Sequence, residues 1–515
     1  MKNKQSHKQV SKKNVFFYLL LFLPFIMFLF LVKYFFFFTV DDAFINFRYS
    51  ENLVLHNQLN WNIDSSERVE GYTNFLWVII GFVMIKLGLN IVFWSKALGA
   101  LFGLFSMFFL YLLSKKILKS EWLALIPMFL FALTPAFSFW SISGLETPLF
   151  IFLLILSVYL FLIDLEKNTP YSPWAFSLLA LTRPEGAVLF VFSFFYLAFF
   201  NYKKMRIFNH NEVRIKKLIR RMLLWALPFI IIYGSYFMWR LFYYGNFFPN
   251  TFYAKKMLLG GLSDILMFNK YAFIFILLAI FLFAFEKRKK EYYYLAFVIL
   301  FLNLTVLNIR TVMGFNFRFL VPTAPLIYLL ATPSIDAYSL LASKIKGWKR
   351  AIFALFLLLL LIYPLSGFFP FNNTKDTMMS GAQRWTEIEH SYEKIGRYLN
   401  QYQDKGIKIA IGDAGGIPYY SKLKTIDLLG LNDNILSRNR LEYGYVLSKN
   451  PEIIMLINDD DKSFENNYDF ALSYLLVSSA EFKQNYELKA KYKTSRDIWL
   501  WIYYSKNFKE EFELK

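Results

Sequence analysis

Residues 14–32 read NVFFYLLLFLPFIMFLFLV, an unbroken apolar run that decides the fold class. About 20 consecutive apolar residues are enough for a helix to cross the hydrocarbon core of a bilayer, which is about 30 Å thick. The sequence predicts a polytopic α-helical membrane protein, because further long apolar segments lie near residues 73–113, 121–138, 148–164, 174–200, 222–243, 265–285, 292–309, 319–338 and 351–370.

The composition of the 515 residues agrees with this class. Hydrophobic residues make up 57% and charged residues 18%, whereas soluble domains are about 45–50% apolar and about 25% charged. This excludes a cytosolic enzyme, a disordered chain and a fibrous protein. Cysteine is absent and histidine occurs four times. Chemistry is therefore left to carboxylates, basic groups, hydroxyls and the backbone.

The basic residues orient the chain, because cytoplasmic loops are enriched in Lys and Arg. If residues 75–88 form a re-entrant or juxtamembrane segment and 174–200 form a hairpin, 25 of the 57 Lys and Arg lie in loops on one side. We therefore predict about eleven transmembrane helices, with the N-terminus as an uncleaved cytoplasmic anchor and the C-terminus outside. The alternative is a full crossing by 73–88 and a single crossing by 174–200. In a protein embedded in the lipid bilayer, we attribute the net charge of +20 to the cytoplasmic loops. It therefore predicts no nucleic-acid partner.

The composition changes near residue 371, which divides the chain into a transmembrane domain (1–371) and a polar domain (372–515). The segments IKIAI (407–411), EIIMLI (452–457) and DIWLWIYY (497–504) have the pattern of strands. Residues 383–402 have the pattern of an amphipathic helix. We predict that residues 372–515 form a small C-terminal extracytoplasmic α/β domain.

Uncommon polar residues gather on the predicted outer face. The first outer loop, residues 40–74, begins with Asp41 and Asp42 directly after an apolar run. Glu146 follows in the loop SGLETP (143–148), and Arg183 and Glu185 lie at the tip of the predicted hairpin. Each could be a solvated helix end or satisfy backbone groups freed by proline. Ionisable residues at membrane depth are nevertheless candidates for function.

Basic residues are depleted on the same face, so those present require a reason. Lys255, Lys256, Arg310 and Arg318 lie in predicted outer loops. Snorkelling to lipid headgroups is one explanation and a bound anion is another. Carboxylates and cations at one interface indicate a reaction with a carboxylate base and a phosphate leaving group.

Seven motifs occur in one order along the chain: DDAFINFRYSENL (41–53), RVEGYTNFLW (68–77), SGLETPLF (143–150), LTRPEG (181–186), YGNFFPNTFYAK (244–255), RFLVPTAP (318–325) and GDAGGIPYYSKLKTIDLLGLND (412–433). Together they resemble the GT-C superfamily of polyprenyl-phosphate-sugar-dependent glycosyltransferases. Within it, they are most similar to the group of the mycobacterial terminal arabinofuranosyltransferase. That group often has an acidic stretch before RFLxP, where this chain has RTVMGFNF (310–317). The donor sugar therefore stays open.

The resemblance implies an inverting glycosyltransferase on the outer face of the bacterial cytoplasmic (inner) membrane. It implies a polyprenyl-phosphate sugar donor and a glycan, lipid or protein acceptor. Asp41 or Asp42 would be the base, with Asp41 slightly favoured. Glu146 would orient the acceptor or, with Asp42, help to bind a divalent cation; no cofactor is implied with certainty.

The resemblance also implies roles for further residues. The donor phosphate would be bound by Lys255, Arg318 and Arg48, in that order of preference. Substrates would be positioned by Glu70, Tyr72, Asn74, Arg183, Glu185 and Asn250.

The motif GDAGG (412–416) lacks the GxGxxG pattern and predicts no dinucleotide site. We favour a tight turn there over an acceptor contact by Asp413, Tyr419 or Asp433. Three other functions stay open: a polyprenyl-lipid flippase or transporter, a diphosphate-dependent O-antigen-type polymerase or ligase, and a scaffold. A transporter is disfavoured, since its charges usually lie near the bilayer midplane within repeated halves.

Overall fold

The computed structural model describes residues 2–63, 65–206, 212–285, 290–309, 316–343, 347–364, 378–463 and 471–513. The predicted domain boundary at 371–372 and Arg310 lie outside these ranges. The N-terminal part is helical: α1 (Lys2–Phe35), α2 (Asp41–His56), α3 (Phe75–Lys86), α4 (Ile91–Leu118), α5 (Leu125–Ala132), α6 (Pro135–Ser141), α7 (Thr147–Lys167), α8 (Ser172–Thr182), α9 (Glu185–Arg206), α10 (Glu212–Phe229), α11 (Ser235–Tyr244), α12 (Asn250–Ala254), α13 (Leu262–Phe285), α14 (Lys290–Leu307), α15 (Ala324–Ser343) and α16 (Trp348–Ile362).

The predicted helical membrane architecture is confirmed. Within the described ranges, seven helical stretches are long and apolar enough to cross a bilayer: Asn14–Phe35, Ile91–Leu118, Thr147–Lys167, Glu185–Lys203, Ile215–Tyr244, Leu262–Phe281 and Lys290–Leu307. The total of about eleven crossings stays a prediction.

Proline and helix length determine the structure of the two segments for which the sequence left alternatives, 174–200 and 73–88. Helix α8 ends at Thr182 and α9 begins at Glu185, because Pro184 forces Arg183 into an extended conformation with φ −154° and ψ 140°. Helices α8 and α9 pack against each other, as a hairpin requires. Helix α3 has 12 residues and is about 18 Å long, which is too short to cross by itself.

The C-terminal part contains α17 (Met378–Leu399), β1 (Lys408–Ile411), α18 (Gly416–Ser421), β2 (Lys424–Asp427), α19 (Tyr443–Ser448), β3 (Ile453–Asn458), α20 (Ala471–Ser478), α21 (Ala480–Asn485), β4 (Tyr486–Ser495) and β5 (Ile498–Ser505). The strand order is β2-β1-β3-β5-β4. Strands β2, β1 and β3 are parallel, whereas β3, β5 and β4 pair antiparallel. This is the predicted small α/β unit.

The strands that sequence reasoning found are the three inner ones. All six residues of β3 are buried, as expected for a strand covered on both faces. Strands β2 and β4 were not predicted. Their sequences, KTID and YELKAKYKTS, contain no continuous apolar run. Both are edge strands, which proteins commonly keep polar to prevent pairing with other chains, so an apolar pattern does not reveal them.

Helix α2 joins the first loop to the C-terminal unit. It packs against α18, and Arg48 donates hydrogen bonds to the backbone oxygens of Trp61, Pro418 and Leu423 over 3.1, 2.6 and 2.8 Å. The middle of α2 is thereby held against residues 418–423.

Candidate active site

A cleft with about 370 Å³ of empty space lies where the ends of several helices meet. We call it the charged cleft. It is lined by six of the residues that the sequence marked as site candidates: Asp42, Tyr72, Asn74, Glu146, Lys255 and Arg318.

The helix starts explain why these residues meet. Asp42 lies in the first turn of α2, Asn74 immediately precedes α3 and Glu146 immediately precedes α7. A helix N-terminus carries unpaired N–H groups and a positive dipole end, which favours carboxylates and amide oxygens.

Glu146 is the best-compensated carboxylate of the charged cleft. Its Oε2 accepts a hydrogen bond from Asn74 Nδ2 over 2.7 Å, and its Oε1 accepts one from Arg183 Nε over 2.9 Å. Arg318 Nη2 lies 3.7 Å from the same Oε1. Burial by itself would raise the pKa of Glu146, but the guanidiniums of Arg183 and Arg318 lower it to about 2. Glu146 is therefore an anion at every physiological pH.

Arg318 links the two carboxylates that line the charged cleft. Its Nη1 donates to Asp42 Oδ2 over 3.1 Å. Asp42 is partly exposed, whereas Glu146 is buried. Asp42 is therefore the cleft carboxylate that an entering substrate can reach.

Lys255 is a cation of the charged cleft that is available to bind an anion. It is half-buried, and its ammonium forms no hydrogen bond or ion pair with any residue that the structure describes. Burial lowers the pKa of Lys255, while the nearby carboxylates of Asp42 and Glu146 oppose that shift. An anion in the charged cleft would gain a direct partner there.

Several buried polar atoms around the charged cleft also lack partners. Asn74 Oδ1, Thr251 Oγ1, Asn250 Nδ2 and Arg318 Nε have no hydrogen-bond partner within the described ranges. Buried polar groups are nearly always satisfied in native proteins. A polar ligand with hydroxyl and phosphate groups would satisfy such atoms. Thr251, which lines the charged cleft, was not singled out from the sequence although it lies in the motif YGNFFPNTFYAK.

Asp41, which the sequence slightly favoured as the base, faces away from the charged cleft. It is buried, and its Oδ1 accepts a hydrogen bond from Gly416 N over 2.7 Å. Burial raises the pKa of Asp41 well above its usual range, and the nearby Asp413 raises it further. Burial also raises the pKa of Asp413 to about 6, although the Tyr392 hydroxyl opposes this by donating to Asp413 Oδ2 over 2.8 Å. The GDAGG motif therefore forms a turn that packs on Asp41.

The remaining candidates lie behind the charged cleft or apart from it. The guanidinium of Arg48 donates hydrogen bonds to backbone carbonyls at the contact between α2 and α18, and Arg48 does not line the charged cleft. Glu70 pairs with Arg240 in a buried ion pair, and its backbone oxygen accepts a hydrogen bond from Asn250 N over 3.0 Å. Glu185 starts α9 and is not part of the cleft lining.

We expect Gly415→Ala to displace the turn from α2. A Cβ at residue 415 would overlap the backbone oxygen and the carboxyl group of Asp41, and overpacking typically costs about 1–3 kcal/mol. Thermal unfolding of the purified protein measures the loss. Gly412→Ala is the matched control, because its Cβ would lie 3.6 Å from the nearest atom of Ile457. Equal unfolding temperatures for the two variants would contradict this packing.

The donor set does not favour a metal ion. No group of three or more His, Asp or Glu side chains suited to a metal occurs in the part of the chain that the structure describes. The oxygens of Asp42 and Glu146 already contact Arg318. We therefore derive no step through the divalent cation that the resemblance left open.

The helical membrane part and the small α/β unit together have a GT-C-like fold. ArnT from Cupriavidus metallidurans bound to undecaprenyl phosphate is similar, with a TM-score of 0.54, 13% identity, and coverage of 94% of this chain and 97% of ArnT. The apo form of the same protein matches with a TM-score of 0.50, 12% identity, and coverage of 93% and 97%. At this identity the likeness establishes the fold alone.

The sequence comparisons add one local match. Residues 382–505, which are most of the C-terminal unit, match the model of a domain of unknown function (DUF8728). No curated protein matches the chain significantly.

Proposed function

We propose that this protein is an inverting glycosyltransferase that moves a sugar from a polyprenyl-phosphate donor to a glycan, lipid or protein acceptor. The observation that carries the proposal is the charged cleft, where one space is lined by the partly exposed Asp42, by Arg318, and by Lys255, which has no ion-pair partner among the residues that the structure describes. The fold adds support, because the ArnT structure with this fold is bound to undecaprenyl phosphate.

The chemistry assigns one role to each charge. Asp42 takes the proton of the acceptor hydroxyl as the hydroxyl oxygen bonds to the anomeric carbon. A positioned base of this kind contributes about 10²–10⁴-fold to the rate. The bond from the anomeric carbon to the phosphate oxygen breaks on the opposite side, which inverts the anomeric centre. Lys255 and Arg318 stabilise the charge that develops on the departing phosphate.

Arg318 connects donor binding with the activity of the base. In the structure its Nη1 donates a hydrogen bond to Asp42 Oδ2, so this carboxylate oxygen is already engaged. A donor phosphate beside Lys255 competes for the same guanidinium and releases Asp42 to accept a proton. Glu146 stays ionised and serves as the fixed anchor of Arg183 and Arg318 rather than as an acid.

The proposed setting is the outer face of a bacterial cytoplasmic membrane. It rests on the one-sided distribution of Lys and Arg and on motifs that resemble the arabinofuranosyltransferase group. A lipid-linked donor would reach the charged cleft laterally from the bilayer, and the acceptor would enter from the aqueous side.

The test supplies the purified protein in lipid nanodiscs with a panel of polyprenyl-phosphate sugars and an envelope extract. Transfer with inverted anomeric configuration supports the proposal. Transfer from diphosphate donors alone would instead identify a polymerase or ligase. Movement of polyprenyl phosphate between leaflets without any transfer would identify a flippase.

Replacing Lys255 by Met tests the phosphate site. A charge-assisted hydrogen bond contributes about 1.5–3 kcal/mol, so we expect the KM for the donor to rise about ten- to hundredfold. Lys256→Met is the matched control, since Lys256 is the exposed neighbour and does not line the charged cleft. Unchanged steady-state kinetics of Lys255→Met would remove Lys255 from the phosphate site.

A further inference from the structure

A second, larger cleft lies between the first loop and the C-terminal sheet. It has about 770 Å³ of empty space and is lined on the sheet side by Lys408, Lys424, Tyr445 and Lys449 and on the loop side by residues that include Glu67. We call it the lysine cleft.

The lysine cleft and the charged cleft share one wall. Val69 and Asn432 line the lysine cleft, whereas Gly71 and Leu431 line the charged cleft. The Tyr49 hydroxyl holds this wall together, because it donates to Val69 O and accepts from Gly71 N over 3.0 and 2.9 Å. Val69 and Gly71 are two residues apart, so the two clefts lie next to each other on either side of this wall.

Three ammonium groups lie along the sheet side of the lysine cleft. Lys408 and Lys424 are directly paired residues on the parallel strands β1 and β2, so their side chains leave the sheet side by side. Lys408 Nζ donates to the backbone oxygen of Lys449 over 2.5 Å, and Lys449 Nζ lies 4.9 Å from the centre of the Tyr445 ring. Neighbouring like charges on a sheet are unfavourable without a counter-charge.

Two acids line the lysine cleft: Asp433 accepts hydrogen bonds from its own segment, whereas the exposed carboxylate of Glu67 has no partner within the described ranges. Asp433 Oδ1 accepts hydrogen bonds from Ile435 N and Leu436 N, and its Oδ2 accepts one from the Tyr445 hydroxyl. The carboxylate of Glu452 accepts the Lys408 N–H over 2.7 Å.

The asparagine side chains that line the loop side of the lysine cleft are also engaged in hydrogen bonds within the protein. Asn60 Oδ1 accepts the N–H groups of Trp61 and Val69, and Asn62 exchanges two hydrogen bonds with the Thr425 backbone. Lys424, by contrast, is exposed and has no hydrogen bond or ion pair within the described ranges. The lining of the lysine cleft therefore carries three lysines against two carboxylates, of which only Glu67 lacks a partner within the described ranges, so its net charge is positive.

We propose that the lysine cleft binds an acidic segment of the acceptor, a glycan that carries phosphate or carboxylate groups, beside the point of transfer. The identity of this ligand as the acceptor rests on the proposed function. The selective binding of an acidic glycan does not, because it follows from the lysines that line the cleft.

The test measures binding to the full-length protein in nanodiscs of zwitterionic lipid by calorimetry. The probes are an oligogalacturonate, a phosphorylated oligomannose and a neutral oligogalactose of the same length. We expect at least one acidic probe to bind at least about tenfold more tightly than the neutral one. This binding should weaken as salt is added. The two acidic probes distinguish a carboxylate ligand from a phosphate ligand.

Lys424→Glu should weaken the binding of the acidic probe at least about tenfold, and Lys424→Gln should weaken it less. Lys405→Glu, at an exposed lysine that pairs with Glu510 outside both clefts, should bind like the wild type. Equal binding of acidic and neutral probes, no binding of either acidic probe, or wild-type binding by Lys424→Glu would each overturn the inference. Asp42→Asn separates the two proposals, since it should slow transfer about 10²–10⁴-fold while the acidic probe still binds.

Discussion

Asp42→Asn should lower the turnover number by about 10²–10⁴-fold and leave the donor bound. Asparagine keeps the size of the side chain but cannot take a proton from the acceptor hydroxyl. The donor affinity should stay equal or rise, because Arg318 Nη1 donates to Asp42 Oδ2 in the wild type and would turn to the donor phosphate once that carboxylate is gone. Steady-state transfer rates together with equilibrium binding of a polyprenyl-phosphate sugar separate the two effects.

The control for this variant is Asp404→Asn, an Asp-to-Asn change at an exposed residue of the C-terminal unit. It should transfer sugar at the wild-type rate. If Asp41→Asn loses turnover and Asp42→Asn keeps it, the base is Asp41, and the orientation of α2 seen here is not the reacting one. If both variants keep full turnover, the acid–base mechanism fails.

The sequence placed candidate residues at several helix ends that line the charged cleft, but it did not predict which of two neighbouring acids lines that cleft. Asp42 and Glu146 were candidates because charged residues are uncommon beside apolar runs, and Lys255 and Arg318 because basic residues are depleted on the predicted outer face. Asp41 and Asp42 differ by about 100° of helix rotation. Asp41 is turned inward by a hydrogen bond from Gly416, a contact that depends on how α2 packs against the distant C-terminal unit.

Contacts with residues distant in the sequence explain why the structure differs from the prediction at other residues. Arg48 looked like a free cation near the site, but its partners include carbonyls of Pro418 and Leu423 at the other end of the chain. Arg240 lies inside an apolar segment, and sequence reasoning passed over it although it compensates Glu70. Local signals performed better: Pro184 marked the break between α8 and α9, and the apolar runs marked the inner strands.

Glu146→Gln should have the largest effect on stability. It leaves the buried guanidiniums of Arg183 and Arg318 without the carboxylate that both of them contact. Removing one partner of a buried ion pair typically costs about 3–5 kcal/mol. Denaturant unfolding of the purified protein in detergent measures the loss. Glu166→Gln is the matched control, because Glu166 pairs with Lys116 at the surface with 42% of its side chain exposed, where a pair contributes about 0–1 kcal/mol.

A double variant shows whether this loss arises from uncompensated charge. Arg183→Met in the Glu146→Gln background removes the cation that the substitution leaves unpaired, so it should restore part of the lost stability. A cavity or a lost hydrogen bond would not be repaired in this way, because Met neither donates to residue 146 nor restores its charge. If Glu146→Gln costs no more than Glu166→Gln, Glu146 is not the anion that holds the two arginines, and the role of Arg318 as a cation shared between Asp42 and the donor phosphate loses its basis.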